Sequence, residues 1–357
     1  MLGRQDVKLR SVRSASSSRP STGSVATDAL VGTRKPGGRP PAPRARWPLG
    51  LAVVMAVAAA VPAAAQERSA EAQAAFEAGM AAFEAGDLPQ AVLSFRDAIR
   101  TDPRFSEAYF RRGNCYLTAR YWDWAVLDYT QVLRLEPEHA GALANRGIAR
   151  LQLRDYEEAV ADFDAVIRLD PEDPEARLNR GTAHLESGQL DRAEADFSDL
   201  IRLVPDESAG YTRRAMVKIA KEEYDAALAD LDEAIRRNPE DAEAYNGRGF
   251  ALIRKGERRR AIAELTRAIE IDPELAEAFY NRGYAYHEEK QYARAVADYT
   301  VAIELNPADV IALQARAGAY RALGDNSKAE ADTAAVRRIY DEHRRALEEA
   351  AAGGGGP

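Results

Sequence analysis

A period of 34 residues runs through most of the chain and constrains its fold more than any other feature. Seven prolines recur at this spacing: Pro103, Pro137, Pro171, Pro205, Pro239, Pro273 and Pro307. Eight alanines keep the same spacing in another phase: Ala91, Ala125, Ala159, Ala193, Ala227, Ala261, Ala295 and Ala329. Two residue types in phase over this length indicate an internal repeat. A fixed period of this size is typical of a stacked array rather than of one globular core.

Each repeat has the pattern of two helices joined by a short turn. In the first helix a large apolar residue precedes a small one by four positions, as in Tyr109 and Gly113, which places both on one helical face. We expect the small residue to let the second helix approach closely. A break such as Ser187-Gly188-Gln189 ends the first helix, because glycine adopts the left-handed conformation. The second helix carries the periodic alanine and ends at the proline.

This unit resembles the tetratricopeptide repeat, a helix–turn–helix motif of the same length. The resemblance covers about residues 70–340 and implies an all-α fold, a right-handed α-solenoid of about eight repeats. Asp341 stands where an eighth proline would fall, so we expect the last helix to continue over residues 341–352 as a polar-faced capping helix. The glycine-rich residues 353–357 are expected to form a disordered tail.

The N-terminal region differs from the array in composition. Residues 1–46 are basic and rich in Ser, Pro and Gly, which predicts a disordered leader. Residues 47–65 combine an apolar run with a small-residue exit behind Arg44 and Arg46, the parts of an export signal. We expect cleavage after Ala65 and a periplasmic or secreted protein of bacterial origin. An uncleaved inner-membrane anchor, no export, and a start of translation downstream of Met1 remain open, although the run is short and Ala-rich for a membrane span.

Charge is divided unevenly along the chain. The first 65 residues carry ten Lys and Arg against two acids, so the remainder of the chain has a net charge of −16. Nucleic acids select basic faces and anionic membranes repel acidic ones. We therefore expect no nucleic-acid partner, and membrane contact only if residues 47–65 are uncleaved.

A charged pair recurs within the repeats. In seven of them an arginine precedes the small residue of the first helix and an acid follows 16 residues later. The pairs are Arg112 and Asp128, Arg146 and Asp162, Arg180 and Asp196, Arg214 and Asp230, Arg248 and Glu264, Arg282 and Asp298, and Arg316 and Asp332. The first repeat lacks both, with Ala78 and Ser94. We therefore predict an ion pair between the helices of one repeat rather than a ligand-binding arginine stripe.

Residues suited to catalysis or metal binding do not cluster. No second His or Cys stands at metal-ligand spacing from any of the four histidines, His139, His184, His287 and His343. Cys115 is the sole cysteine and occupies a position filled by Ala in other repeats, which favours a packed residue. No glycine-rich phosphate loop follows a strand. We expect no enzyme activity, no cofactor and no metal.

The resemblance implies that the first helices line a concave face, which holds a peptide or protein segment. The inward positions are Phe110, Asn114, Asn145, Leu178, Asn179, Met216, Phe250, Tyr280, Tyr284 and His287. Phe250, Tyr280 and Tyr284 are the strongest candidates because aromatic side chains are good anchors. Filling gaps between repeats is their alternative role.

Some relatives hold a C-terminal carboxylate with a clamp of Lys, Asn and Arg. This sequence matches that clamp only at Asn114 and Asn145, and has Phe110, Glu175 and Asn179 at the cationic positions, so the clamp is not expected. The expected function is a non-catalytic scaffold or adaptor in the cell envelope. A membrane-tethered assembly factor, a binder of a glycan or small molecule, and an enzyme acting on an envelope substrate are the alternatives.

Overall fold

A computed structural model describes residues 69–353 of the chain. The predicted leader 1–46, the export segment 47–65 and residues 354–357 lie outside this range. The described residues contain sixteen α-helices and no strand. The helices are α1 (Ala70–Glu84), α2 (Leu88–Thr101), α3 (Ser106–Thr118), α4 (Trp122–Leu135), α5 (Ala140–Gln152), α6 (Tyr156–Leu169), α7 (Pro174–Glu186), α8 (Leu190–Leu203), α9 (Ala209–Ala220), α10 (Tyr224–Arg237), α11 (Ala242–Arg254), α12 (Arg258–Ile271), α13 (Ala276–Glu288), α14 (Tyr292–Leu305), α15 (Val310–Ala322) and α16 (Asn326–Gly353). None of them is both long enough and apolar enough to span a bilayer.

The helices form two compact units, divided between Pro205 and Asp206. The first unit holds α1–α8 and the second holds α9–α16. In each unit the helices pack as four consecutive hairpins, and the second helix of a hairpin packs on the first helix of the next. We number the hairpins one to eight from α1–α2 to α15–α16. The predicted all-α array of about eight helix–turn–helix repeats with an extended C-terminal helix is thus confirmed.

After the first helix of each hairpin, a single residue in the turn adopts the left-handed conformation. Four of these residues are glycines, Gly86, Gly188, Gly256 and Gly324, with φ from 77° to 83°. The equivalent residues in the other hairpins are Arg120, Arg154, Glu222 and Lys290, with φ from 59° to 63°. The shared conformation lets two backbone N–H groups cap the helix, as Arg120 and Tyr121 do when they donate to Leu117 and Tyr116. The hairpin therefore imposes this turn even where the sequence offers no glycine.

The small residue of the first helix sits against the second helix, as its spacing predicts. A Cβ atom on Gly181 would lie 2.7 Å from Cε1 of Phe197, and one on Gly249 would lie 2.5 Å from Cγ of Leu265. Both partners are fully buried. Because these separations are shorter than van der Waals contact, the glycine is what permits the close approach of the two helices.

All seven predicted ion pairs form within their own hairpins. In hairpin three, Nε and Nη2 of Arg146 donate to the two carboxylate oxygens of Asp162, at 3.0 and 2.7 Å. The third nitrogen, Nη1, donates to Thr130 of the preceding hairpin at 3.1 Å. Five of the other six pairs have the same geometry, with two nitrogens on two oxygens, whereas Nε and Nη2 of Arg248 both donate to Oε2 of Glu264. The arginines therefore serve to join helices, and the prediction is confirmed.

The C-terminal helix α16 has 28 residues, twice the length of the second helix α14 in the hairpin before it. It continues past Asp341 as expected, and its exposed residues there include Glu342 and Arg344. A polar outer surface is what the end of an array requires in order to stay soluble.

Candidate binding surface

Most of the candidate residues in the first unit are buried. Phe110 is 2% exposed, with its ring 4.7 Å from that of His139 and 5.9 Å from that of Tyr129. Asn145 and Asn179 are also buried. Leu178 is half-buried. The first unit therefore uses these positions mainly for packing.

A buried polar network joins hairpins two and three. Oδ1 of Asn114 accepts a hydrogen bond from the Tyr129 hydroxyl at 2.7 Å and another from Nδ2 of Asn145 at 3.0 Å. Asn114 is 4% exposed, so its side chain makes these two contacts inside the protein and is not accessible to solvent. The two residues that match the carboxylate clamp thus hold each other.

The second unit leaves its candidate aromatic residues partly open. Met216 is buried, with its sulfur 3.6 Å from Nη1 of Arg213. By contrast, Phe250, Tyr280, Tyr284 and His287 are all half-buried. Phe250 lies on α11 and the other three lie on α13, and these two helices contact each other.

Helix α13 presents a ridge of three side chains, Glu277, Tyr280 and Tyr284. Their spacing of three and four residues places them on one face of the helix. The ring of Tyr280 lies 5.7 Å from that of Tyr299 on α14. Burial raises the pKa of both Tyr280 and Tyr284, so their hydroxyls remain protonated and the ridge is aromatic rather than anionic there.

Glu277 begins the ridge and lies in a crowded acidic environment. Its carboxylate has no hydrogen-bond or ion-pair partner in another residue of the described chain, although the side chain is half-buried. Burial raises its pKa to about 7, and the nearby acids Glu243, Asp309 and Asp272 add to this effect. Glu243 stands one period earlier on α11 and pairs with Nη2 of Arg213 at 3.1 Å. The pair Glu243 and Glu277 was not predicted from the sequence, where the only sign of it is that the two acids stand one repeat period apart.

Tyr299, beneath the ridge, has an unsatisfied hydroxyl. The side chain is fully buried, and its oxygen has no hydrogen-bond partner among the described residues. Tyr129 holds the equivalent position in hairpin two and donates to Asn114. Tyr284 stands where Asn114 would be, so the acceptor is missing in hairpin seven. A buried hydroxyl left without a partner costs about 1–3 kcal/mol.

Cys115 and His184, two residues with potential chemistry, are both packed, which the sequence indicated for Cys115. Burial raises the pKa of the Cys115 thiol to about 12, which keeps it protonated and unreactive. His184 is buried and the same cause lowers its pKa. Within residues 69–353 no three His, Cys, Asp or Glu side chains are placed to hold a metal ion.

An exposed apolar patch on hairpin two was also missed from the sequence. Tyr121, Trp124 and Leu127 are 60, 58 and 58% exposed at the start of α4. The equivalent of Leu127 is Leu93 in the first hairpin and alanine in the other six. That departure from the repeat pattern is the signal that could have revealed it.

Sequence profiles of a known repeat match both units. Profiles described as Tetratricopeptide repeat match residues 76–123, 117–174, 145–208 and 276–309, and one described as TPR repeat matches residues 217–256 and 252–290. Together these segments cover more than half of the chain. The chain belongs to the tetratricopeptide repeat (TPR) family.

Solved structures agree with this assignment at the level of fold. The chain is similar to a tetratricopeptide repeat protein from Parabacteroides merdae, with 20% identity and a TM-score of 0.63 over 69% of this chain and 97% of that one. It is also similar to a chain of the APC/C hetero-tetramer Cut9–Hcn1, with 18% identity and a TM-score of 0.57 over 73% of this chain and 52% of that one. No curated protein matches the sequence. TPR proteins in general bind protein or peptide partners and act as non-catalytic scaffolds.

Proposed function

We propose that this TPR protein is a non-catalytic scaffold that binds a peptide or protein segment on the first helices of its second unit. The observation that carries the proposal is the set of half-buried aromatic residues Phe250, Tyr280 and Tyr284 on the adjoining helices α11 and α13. Aromatic side chains bury a large area at low entropic cost, and they dominate the energetics of interfaces.

The repeat itself does not require aromatic residues at these positions. The equivalents of Phe250 and Tyr284 in the other six hairpins are Met80, Asn114, Ile148, Thr182, Met216 and Gly318. Because hairpins form with such different residues, the hairpin fold alone does not account for Phe250 and Tyr284. Their partial exposure supports a role in holding a partner.

We further propose that the protein acts in the envelope of a bacterial cell or outside it. The basic flank, the apolar run and the small residues before Gln66 support a cleaved export signal over residues 47–65. The alternative is a membrane-tethered assembly factor that keeps this segment. The intact mass of the protein from its native host separates the two, because a chain that begins at Gln66 supports export with cleavage.

A pull-down from the native host tests the binding proposal. The bait is the wild-type chain beside a Phe250→Ala/Tyr284→Ala variant, and mass spectrometry identifies retained proteins. A Trp124→Ala/Leu127→Ala variant is the matched control, because it removes exposed apolar side chains of similar size from the other unit. We expect a partner that the wild type and the control retain and the folded double variant loses. Equal retention by all three would reject the surface, and capture of no protein would favour a glycan or small-molecule ligand.

A further inference from the structure

We infer that the exposed apolar patch of hairpin two is the interface of a two-fold symmetric dimer, in which α4 packs antiparallel on α4 of a second copy of this chain. The patch consists of Tyr121, Trp124 and Leu127, at the start of that helix. It lies in the first unit, so the inference is independent of the binding surface proposed on the second unit.

The aromatic side chains of the patch are held in place and still open to solvent. The rings of Trp124 and Tyr121 pack against Tyr116 of α3, with centroids 6.1 and 6.5 Å away, and both remain mostly exposed. The repeat does not require an aromatic residue here. At the position of Trp124 the other hairpins have Gln90, Glu158, Arg192, Ala226, Arg260, Arg294 and Lys328. Ordered, exposed aromatic side chains of this kind are suited to the centre of a protein interface.

Two charged side chains flank the patch on the same face of α4. Asp123 lies at the start of the helix and Arg134 near its end, and both are exposed. Their separation is about three helical turns, which brings them to within about 20° of the same direction. Leu127 lies between them on this face. An acid, an apolar residue and a base therefore follow one another along one exposed stripe.

Both charges are unpaired in the single chain. Neither Asp123 nor Arg134 has a hydrogen-bond or ion-pair partner within residues 69–353. The equivalent of Arg134 in hairpin one is Arg100, which lies 3.5 Å from Asp97. Helix α4 has Gln131 in place of that acid, so the local partner is missing.

A two-fold axis would convert this stripe into a complementary surface. In a symmetric dimer, residue i of one copy contacts residue j of the other while j contacts i. Antiparallel α4 helices related by an axis midway between Asp123 and Arg134 bring each acid opposite the base of the other copy. Leu127 of both copies then lies beside the axis, and Trp124 of each packs along the other helix.

The two charges favour a second copy over a partner of one sign. An acidic partner would pair with Arg134 and be repelled by Asp123, and a basic partner would do the reverse. A second copy satisfies both charges and covers the apolar side chains of both chains. Because only three large apolar side chains form the core, we expect a dissociation constant of about 10 μM rather than the nanomolar value of a large interface.

Sedimentation velocity of the protein purified from its native host tests the inference. We expect the wild type to change from monomer to dimer between about 1 and 100 μM. Trp124→Ala/Leu127→Ala should stay monomeric over this range and keep the circular dichroism of the wild type, because both side chains are exposed. Phe250→Ala/Tyr284→Ala should dimerise like the wild type. A wild type that is monomeric throughout, or a dimer that survives Trp124→Ala/Leu127→Ala, would overturn the inference.

Charge reversal tests the antiparallel pairing. Asp123→Arg and Arg134→Asp each place like charges opposite one another in both copies, and each should weaken the dimer at least about tenfold. An equimolar mixture of the two variants should regain the wild-type affinity, because each chain supplies the charge that the other lacks. Arg168→Asp, at the equivalent exposed position of hairpin three, should leave the dimer unchanged. A mixture as weak as the separate variants would reject this arrangement.

Discussion

Arg282 and Asp298 form two parallel hydrogen bonds, each 2.8 Å long, that join the two helices of hairpin seven. Nη1 of the same arginine donates to Thr266 of hairpin six at 3.1 Å. One guanidinium therefore connects three helices. The hydrogen bonds from Asp298 raise the pKa of Arg282. Asp298 is 7% exposed, so each charged group relies on the other, rather than on water, for stabilisation.

Removal of one partner should destabilise the protein strongly. Asp298→Ala leaves the guanidinium of Arg282 in a mostly buried position without its carboxylate, and we expect a loss of about 3 kcal/mol in the free energy of unfolding. Urea denaturation measures it, with Glu270→Ala as the control, because that residue pairs with Arg267 in an exposed bridge worth less than about 1 kcal/mol. If Asp298→Ala lowers the free energy of unfolding no more than Glu270→Ala does, the Arg282–Asp298 pair does not stabilise the hairpin.

The close approach of the two helices in a hairpin gives a second prediction. Gly181→Ala introduces a Cβ atom 2.7 Å from Phe197, and we expect about 1–3 kcal/mol of destabilisation from the resulting displacement. Gly318→Ala is the matched control, since its Cβ would meet nothing closer than 4.0 Å. Thermal denaturation should show a lower midpoint for the first variant and little change, or a small rise, for the second.

At the left-handed turn position, substitution to glycine and substitution of a glycine should have opposite effects on stability. Lys290 has a φ of 59°, a conformation that costs a residue with a side chain about 1 kcal/mol, so Lys290→Gly should stabilise the protein by up to that amount. Gly256→Ala, at a φ of 83°, should destabilise it by a similar amount. Chemical denaturation of both variants checks the pair, and effects of equal sign would contradict the assignment.

The environment of Glu277 makes stability depend on pH. Its pKa is about 7 in the folded protein against 4.5 for a free glutamate, so the folded state binds the proton more readily between these values. The contribution of this group to the unfolding free energy therefore falls as pH rises from 4.5 through 7. Burial is the main cause of the raised pKa, and the acids Glu243, Asp309 and Asp272 add to it, so the surroundings oppose ionisation.

Glu277→Gln removes this dependence and should make the protein more stable than the wild type at pH 8. Urea denaturation at pH 8 and at about pH 3 checks the sign, since the gain should vanish at the lower pH, which lies below the pKa of Glu277 in both states. Glu107→Gln should give no gain at pH 8, because it breaks the contact with Arg111. A pH-independent effect of Glu277→Gln would contradict the account.

The architecture was predictable because the same 34-residue sequence pattern recurs from hairpin to hairpin. The spacing of prolines and alanines set the helix ends, and the joint presence or absence of Arg and acid within a repeat predicted pairs such as Arg112 and Asp128, which hydrogen-bond at 2.7 Å. The first repeat has Ala78 and Ser94 where the other seven have the arginine and the acid. This difference was visible from comparison of the repeats within the sequence alone.

Exposure at the candidate surface was not predictable, because it depends on the following hairpin. Phe110 and Tyr280 occupy the same position of the repeat, yet Phe110 is 2% exposed and Tyr280 is half-buried. His139 covers Phe110 with its ring, and the equivalent of His139 beside Tyr280 is Asp309, which has no ring to do so. The raised pKa of Glu277 has the same kind of origin, since it depends on burial and on acids from neighbouring hairpins.

Photo-crosslinking in the native host tests the central claim most directly. The chain would carry p-benzoylphenylalanine at the position of Tyr284 in one strain and at the position of Trp124 in another, and illumination would capture whatever contacts each residue. The account predicts a crosslinked protein partner from the Tyr284 position and none of the same identity from the Trp124 position. The same partner captured at Trp124 and absent at Tyr284 would place binding on the exposed apolar patch of hairpin two and contradict it.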